Sequence, residues 1–140
     1  EVTLTDFDTY PPSLNLPAGW AVTPIGRDGE IIGAMAVELP IDRVSAVMTA
    51  GEDWSQGGLG GTGEAYLVGI DSLMRSPSRL LIENPEAFAT AALAAGTPRE
   101  VVDLAVARRT TLGLQPVRTA AADDALAGRS GTMIASNYLG

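Results

Sequence analysis

The dipeptide Asp28-Gly29 lies between two apolar segments, GWAVTPI at 19–25 and IIGAMAVEL at 31–39. A two-residue hairpin turn of type I′ requires positive φ at both central residues, and Asp-Gly adopts that conformation readily. The sequence therefore predicts an antiparallel β-hairpin whose turn is the segment 27–30.

Residues 2–8, VTLTDFD, alternate well enough to predict another strand before this hairpin. Pro11, Pro12 and Pro17 follow it, and proline disfavours both a helix interior and a central strand. We therefore expect a loop over residues 10–19.

After Pro40 the apolar period changes from two to about 3.6, because Ile41, Val44 and Met48 share one face. This pattern predicts a short amphipathic helix. Asn84 with Pro85 at the first helical position predicts a second helix, which we expect to end at Gly96.

The segment 97–100, Thr-Pro-Arg-Glu, has the pattern of a capping box and predicts a third helix. A fourth helix is expected between Thr119 and Gly128, and residues 131–139 suggest a final strand. A chain that combines such strands and helices belongs to the α+β class.

The stretch EAYLVGIDSLMRSPSR, residues 64–79, contains an apolar run, a tight turn and two arginines four residues apart. Tyr66, Val68 and Ile70 alternate toward one face, which predicts a second hairpin. Arg75 and Arg79 belong to the same predicted hairpin segment.

Arg75 and Arg79 are candidate ligands for a carboxylate or phosphate, since a guanidinium binds such anions in a bidentate manner and keeps its charge. The hydroxyls of Ser76 and Ser78 would complete an anion-binding corner. In the alternative interpretation both arginines are solvated or form ion pairs with nearby acids, which are Glu64, Asp71 and Glu83.

A second polar cluster contains Asp6, Asp8, Tyr10 and Trp20. A carboxylate beside aromatic rings suits an ammonium group, through charge pairing and cation–π contact. The alternative is a loop acid that caps a backbone turn. Asp6 and Asp8 would lie about 7 Å apart on one strand face, which leaves a weaker option of acid-dependent hydrolysis.

The glycine-rich segment 51–63 suggests a phosphate-binding loop, but it lacks the Gly-Lys-Ser/Thr ending and is followed by a predicted strand. We therefore expect a flexible connector.

The composition excludes several function classes. The sequence contains no histidine and no cysteine, so Ser-His-Asp and Cys-His catalysis and ordinary zinc sites are excluded. A net charge of −8 disfavours nucleic-acid binding, which needs a basic surface. No apolar run is long enough to span a membrane. We also expect no cofactor and no enzymatic activity in this chain.

Several motifs together resemble a known family. LPIDRVSAVMT at 39–49 and GGTGEAYLVGIDSLMRSPSR at 60–79 resemble the Cache-type, PAS-like extracytoplasmic sensor domains of bacterial chemoreceptors and of membrane-bound adenylate/guanylate cyclases. The segments DFDTYPPS at 6–13 and ALAGRSGTMIASNYLG at 125–140 resemble further elements of that family. Ser72 and Pro77 depart from its pattern, because they replace a turn glycine and a common aspartate.

The resemblance implies a PAS-like antiparallel sheet with flanking helices. It places the final strands and closing helix of one module at 1–50, a connector at 51–63 and the start of a second module at 64–140. Whether the whole folds as one domain stays open.

The resemblance also implies signal transduction by a receptor anchored in the bacterial cell membrane, with this chain outside the cytoplasm. The expected ligand is a small molecule such as an amino acid, an organic acid or an amine, and a homodimer is a further option. The expected ligand-binding residues form two groups: Tyr66, Met74, Arg75, Ser76 and Arg79 in one, and Asp6, Tyr10 and Trp20 in the other. The alternative is a dimerisation module without a ligand.

Overall fold

The computed structural model describes residues 1–13 and 16–140. The strands are β1 (Thr3–Leu4), β2 (Asp8–Tyr10), β3 (Leu16–Arg27) and β4 (Glu30–Leu39), with a 3₁₀ helix at Pro11–Ser13. The helices are α1 (Ile41–Thr49), α2 (Arg79–Glu83), α3 (Pro85–Ala94), α4 (Arg99–Arg108) and α5 (Ala120–Leu126).

The described residues form an α+β protein, as predicted, with two compact units at Glu1–Val47 and Met48–Gly140. The first unit contains the antiparallel sheet, and the second contains α2 to α5. The division falls inside α1, and the sequence-based boundaries at 50 and 63 stay a prediction.

The predicted Asp28-Gly29 hairpin is confirmed. Asp28 and Gly29 have φ of 52° and 85°, the positive values that a two-residue turn of type I′ requires. β3 and β4 pair from Gly19↔Leu39 out to Arg27↔Glu30, with a register shift between Ile25 and Gly26.

The predicted strand over residues 2–8 is interrupted. β1 and β2 both pair antiparallel with β3, but the register runs Leu4↔Ala21 and then Asp8↔Ala18. One extra residue therefore lies between β1 and β2, as in a β-bulge. Because the pleat is broken there, the expectation that Asp6 and Asp8 share one strand face loses its basis.

The predicted loop over residues 10–19 is wrong for its described part, since Leu16–Gly19 belong to β3. Leu14 and Asn15 lie outside the described residues. Pro17 pairs with β2 beyond the end of the β4 ladder, and Pro24 pairs with β4 beyond the β1 ladder. Each proline thus sits where β3 has a neighbour on one side, so its missing N–H breaks no second ladder.

The predicted helix from Ile41 is confirmed as α1, and the one from Pro85 as α3. The side chain of Asn84 accepts a hydrogen bond from the Ala87 N–H at 3.0 Å. At the other end, Gly96 has φ of 88°, and its N–H and that of Thr97 donate to carbonyls inside α3. This is the Schellman arrangement that a C-terminal glycine allows.

The capping box predicted at Thr97 is wrong, although the helix it announces is present as α4. Pro98 occupies the N-cap position and makes no side-chain capping bond. The hydroxyl of Thr97 instead accepts from Nε2 of Gln115 at 3.2 Å, because α4 begins one residue later than a box led by Thr97 requires.

The fourth predicted helix is confirmed as α5, with Thr119 as its N-cap. The strand predicted at 131–139 is wrong, because these residues are all described and none is assigned to a strand. Met133 and Ile134 are exposed, and within the described part of the chain no segment pairs with them in a ladder. Buried Tyr138 anchors this segment instead.

The hairpin predicted at 64–79 is present as a single bridge pair, Val68↔Met74. The Gly69 N–H donates to the Leu73 carbonyl at 2.9 Å, and the Ser72 N–H donates to the Gly69 carbonyl. Ser72 has φ of 62°, which matches a three-residue loop whose last residue is left-handed.

Two apolar clusters form the core of the second unit. One joins α2, α3 and α4 through Leu81, Phe88, Ala92, Val102 and Ala105. The other joins the hairpin to α5 and to the C-terminal segment through Met74, Val117, Ala122 and Tyr138.

We expect Ser72→Gly to stabilise the second unit by about 1 kcal/mol, because a left-handed conformation is strained for serine and natural for glycine. For a unit of this size, this corresponds to a rise in melting temperature of about 4–8 °C. Thermal unfolding followed by circular dichroism measures it. Ser130→Gly, at an exposed serine without positive φ, is the control. Equal melting temperatures for the two variants would contradict the prediction.

Candidate functional site

Arg79 is held on several sides. Its Nε donates to Oε1 of Glu83 at 2.8 Å, and its Nη1 donates to the carbonyls of Gly60 and Gly63 at 3.1 and 2.7 Å. Its Nη2 donates to the Gly61 carbonyl at 3.0 Å. Four of the five N–H groups of the guanidinium therefore have an acceptor among the described residues.

The segment 51–63, predicted as a flexible connector, contacts Arg79 through backbone carbonyls and through Trp54. The guanidinium carbon lies 4.9 Å from the ring centroid of Trp54, a cation–π contact. Trp54 is buried with 6% of its surface exposed. The segment therefore wraps the Arg79 side chain with an indole and a row of carbonyls.

Arg75 is also committed within the second unit. Its Nη2 donates to Oδ2 of Asp71 at 2.9 Å, and its Nη1 donates to the Leu73 carbonyl at 3.2 Å. The hydrogen bond from Arg75 to Asp71 holds the pKa of the Asp71 carboxyl below its usual value. A Cβ at Gly69 would collide with the guanidinium, so glycine is required there for the arginine to lie across the hairpin.

The other predicted residues of this group are internal. Met74 and Ser76 are fully buried, and the Ser76 hydroxyl accepts from the Leu67 N–H at 3.0 Å. Tyr66 is half-buried and packs edge-to-face against Tyr138, with ring centroids 5.4 Å apart. The structure thus brings Tyr66, Met74, Arg75 and Ser76 together in the hairpin as packing and hydrogen-bonding residues, and their role toward a ligand stays a prediction.

Glu64, Ser78 and Tyr138 form a hydrogen-bonded network beside Arg79. The Tyr138 hydroxyl donates to the Glu64 carboxylate, at 3.1 and 3.0 Å from its two oxygens, and lies 2.8 Å from the Ser78 hydroxyl. Oε1 of Glu64 also accepts the Arg79 backbone N–H at 2.6 Å.

Partial burial raises the pKa of the Glu64 carboxyl, against the lowering effects of the Arg79 and Tyr138 hydrogen bonds and of the Arg79 charge. The nearby Glu83 carboxylate raises it further. Burial and the adjacent carboxylate also raise the pKa of the Tyr138 phenol, which therefore stays protonated as a donor.

The second predicted group belongs to the first unit. Tyr10 and Trp20 pack edge-to-face, with centroids 5.2 Å apart at 78°. Asp6 is exposed, and its Oδ1 accepts from the Phe7 N–H at 2.7 Å. This local bond matches the turn-capping alternative for Asp6, and an ammonium site at this aromatic pair stays a prediction.

A cleft of about 330 Å³ opens on the second unit near the end of the chain. The residues that line it are Ala95, Gly96, Thr97, Pro98, Pro116, Arg118, Asn137, Tyr138 and Gly140. The volume lies at the lower end of the range typical of small-molecule sites.

Sequence reasoning missed Tyr138 and Arg118 as candidate residues and treated Glu64 only as a possible ion-pair partner. Tyr138 hydrogen-bonds to residues 60 and 74 positions earlier. No local spacing signals such a contact. Its position as the aromatic residue in a polar C-terminal segment was the available hint.

Across residues 1–13 and 16–140, no group of three or more acidic, histidine or cysteine side chains is placed to hold a metal ion. Among the helices described, none combines the length and apolarity that crossing a bilayer requires.

Comparison with family models, with curated proteins and with solved structures gives no match.

We expect Arg79→Ala to destabilise the second unit by about 2 kcal/mol, because it removes four hydrogen bonds and the contact with Trp54. Arg79→Lys should lose much of the same stability, since an ammonium lacks the fork geometry. Urea unfolding of a Trp20→Phe background, where fluorescence reports Trp54, measures the loss.

The matched control is Arg108→Ala, an exposed arginine in the last turn of α4, which should change stability by less than about 0.5 kcal/mol. Equal losses of stability in the Arg79 and Arg108 variants would show that the contacts of the Arg79 side chain do not stabilise the second unit.

The Glu64 carboxyl has a raised pKa in the folded chain, so its stabilising contribution is complete below the ordinary value of 4.5. That contribution is lost as pH rises through the folded pKa. Glu64→Gln mimics the protonated form. The melting temperature of the variant minus that of the wild type should therefore increase as pH rises from 4.5. Thermal unfolding of both proteins between about pH 4 and 8 measures the difference. A difference that stays constant, or that falls with pH, would contradict the assignment.

Proposed function

We propose that this chain is a Cache-type, PAS-like sensor domain that lies outside the cytoplasm in a membrane-anchored bacterial receptor, an adenylate/guanylate cyclase or a chemoreceptor. It binds a small molecule, carries out no chemistry and transmits a conformational signal. The resemblance of residues 60–79 to that family supports the proposal. The α+β architecture is compatible with it, and the 64–79 segment folds as a hairpin inside its own unit.

We place the ligand site in the cleft beside Tyr138, and the presence of this cleft is the observation that carries the proposal. Arg75 and Arg79 are already hydrogen-bonded to carboxylates and carbonyls, so recruiting either one for a ligand would break these bonds. Arg118 and Asn137 are among the residues that line the cleft. An arginine and an asparagine at one cleft favour a ligand with a carboxylate, such as an amino acid or organic acid.

Tyr138 couples the cleft to the rest of the second unit through its contacts. It lines the cleft, and its hydroxyl bonds to Glu64 and Ser78, which are not among the lining residues. A ligand that binds better to one position of Tyr138 shifts the population of that position, and with it the docking of the C-terminal segment. The signal is this shift in how residues 129–140 dock.

A thermal-shift screen of amino acids, organic acids and amines tests the proposal, with each variant compared with its own ligand-free protein. A ligand at about 100 times its dissociation constant adds about 2.7 kcal/mol of stability. We expect a carboxylate ligand to stabilise the wild type and to lose most of this effect in Arg118→Ala.

Arg108→Ala, which changes an arginine outside the cleft, should keep the full ligand effect. Silence across the panel, or equal shifts in Arg118→Ala and wild type, would contradict the cleft assignment. A response to amines that Trp20→Ala abolishes would move the site to the aromatic pair of the first unit.

The second candidate function is a dimerisation module without a ligand. The observation that favours it is the exposed apolar surface of β4, where Ile31 and Ile32 are 76% and 61% exposed. No observation favours the hydrolase alternative, since Asp6 lies in the break between β1 and β2 and Asp8 begins β2.

A further inference from the structure

A second cleft, of about 580 Å³, opens on the second unit beside Arg79. The residues that line it come from the glycine-rich segment and from the start of α2: Gly51, Glu52, Asp53, Trp54, Ser55, Gly60, Gly61 and Arg79. Its volume lies within the range typical of small-molecule sites. The proposed sensor function uses none of these residues.

Trp54 brings an unpartnered donor to this cleft. The residue is 6% exposed, yet its indole Nε1–H donates to no acceptor among the residues that the structure describes. In the same part of the chain, no fully enclosed side-chain nitrogen or oxygen lacks a hydrogen bond, so the indole nitrogen reaches solvent. Because Trp54 lines the cleft, its N–H can donate to a molecule bound there.

Glu52 contributes an exposed carboxylate that makes no hydrogen bond or ion pair within the described residues. Its backbone is fixed, because its N–H donates to the carbonyl and the hydroxyl of Thr49 at 3.0 and 3.2 Å. Ala50, Gly51 and Glu52 have φ of 52°, 68° and 68°. Left-handed backbone is strained for alanine and glutamate, and such strain persists only where the surrounding structure holds it. The carboxylate is therefore carried on a backbone held in one conformation.

Asp53 adds a second negative charge. Its Oδ1 accepts from the Ser55 hydroxyl at 2.8 Å and from the Gln56 N–H at 3.1 Å, and its Oδ2 accepts from Nε2 of Gln56 at 3.0 Å. The hydrogen bond from Ser55, followed by those from Gln56, lowers the pKa of the Asp53 carboxyl. The group is therefore ionised near neutral pH.

The charges of the lining select the kind of ligand. A simple anion would lie beside the carboxylates of Glu52 and Asp53, and a simple amine would leave the indole N–H of Trp54 without an acceptor. A molecule with both a carboxylate and an ammonium group avoids both penalties, because each of its charges finds a complementary group.

We propose that this cleft binds a small zwitterion, whose carboxylate accepts the Trp54 indole N–H and whose ammonium group lies beside Glu52 and Asp53. The positive charge of Arg79 favours the carboxylate through space, so the four hydrogen bonds of its guanidinium stay intact. The site is distinct from the cleft beside Tyr138, and the proposal stands without the sensor function.

Trp54 fluorescence tests the proposal in a Trp20→Phe background, where Trp54 is the sole tryptophan. The probes are glycine, β-alanine and 4-aminobutyrate, which separate the two charges by increasing lengths, with propionate and propylamine as singly charged controls. We expect at least one zwitterion to change the emission saturably and to bind at least about tenfold more tightly than either control. No saturable change with any zwitterion, or equal affinity for a control, would overturn the proposal.

Glu52→Gln removes one charge and keeps the shape of the side chain, so it should weaken binding of that zwitterion at least about tenfold. The matched control is Glu86→Gln, an exposed glutamate in the first turn of α3 that lines neither cleft, and its affinity should be unchanged. Equal affinities of these two variants would overturn the proposal.

Two further variants locate the ligand. Trp54→Phe removes the indole N–H and keeps a ring beside Arg79, so it should lose most of the ligand-induced rise in melting temperature, measured against its own ligand-free protein. Arg118→Ala, in the Trp20→Phe background, should keep the full fluorescence response. A response that Arg118→Ala abolishes would place the zwitterion in the cleft beside Tyr138 and overturn the proposal, as would full retention in Trp54→Phe.

Discussion

The second unit depends on the hydrogen bonds of the Arg79 guanidinium. Its charge does not deprotonate, so once the side chain is almost enclosed its N–H groups need acceptors. The glycine segment provides carbonyls, and Gly60, with φ of 61°, adopts a left-handed backbone that suits glycine. The glycines that suggested a nucleotide loop thus present the backbone to a cation of the same chain.

Tyr138 and Glu64 hold the second unit together across a longer sequence separation. A partly buried carboxylate costs free energy unless donors surround it, and it receives one N–H and one phenolic O–H. In the described residues no buried side-chain polar atom lacks a partner. A change in the position of Tyr138 therefore disturbs several bonds at once, which makes it a suitable element for coupling a ligand to the C-terminal segment.

The two units differ in how completely they bury their apolar side chains and pair their strand edges. The helical unit encloses Phe88, Met74 and Val117 completely. The sheet of the first unit leaves β4 open and its isoleucines in solvent. Main-chain hydrogen bonding is obligatory and directional, so an open strand edge specifies the kind of partner that completes it more closely than an apolar surface does.

Local signals in the sequence correctly predict those elements whose hydrogen bonds close within a few residues. The Asp28-Gly29 turn, the Asn84 cap and the Gly96 terminus are confirmed, because each hydrogen bond involved closes locally. The α+β class follows from the same signals. The tertiary structure alone decided the fate of side chains whose partners are distant in sequence. Thr97 bonds to a glutamine instead of capping its helix, and the C-terminal segment is anchored by one tyrosine instead of forming a strand. The physical reason is that a polar side chain takes the acceptor or donor that packing brings to it, and packing depends on the whole fold.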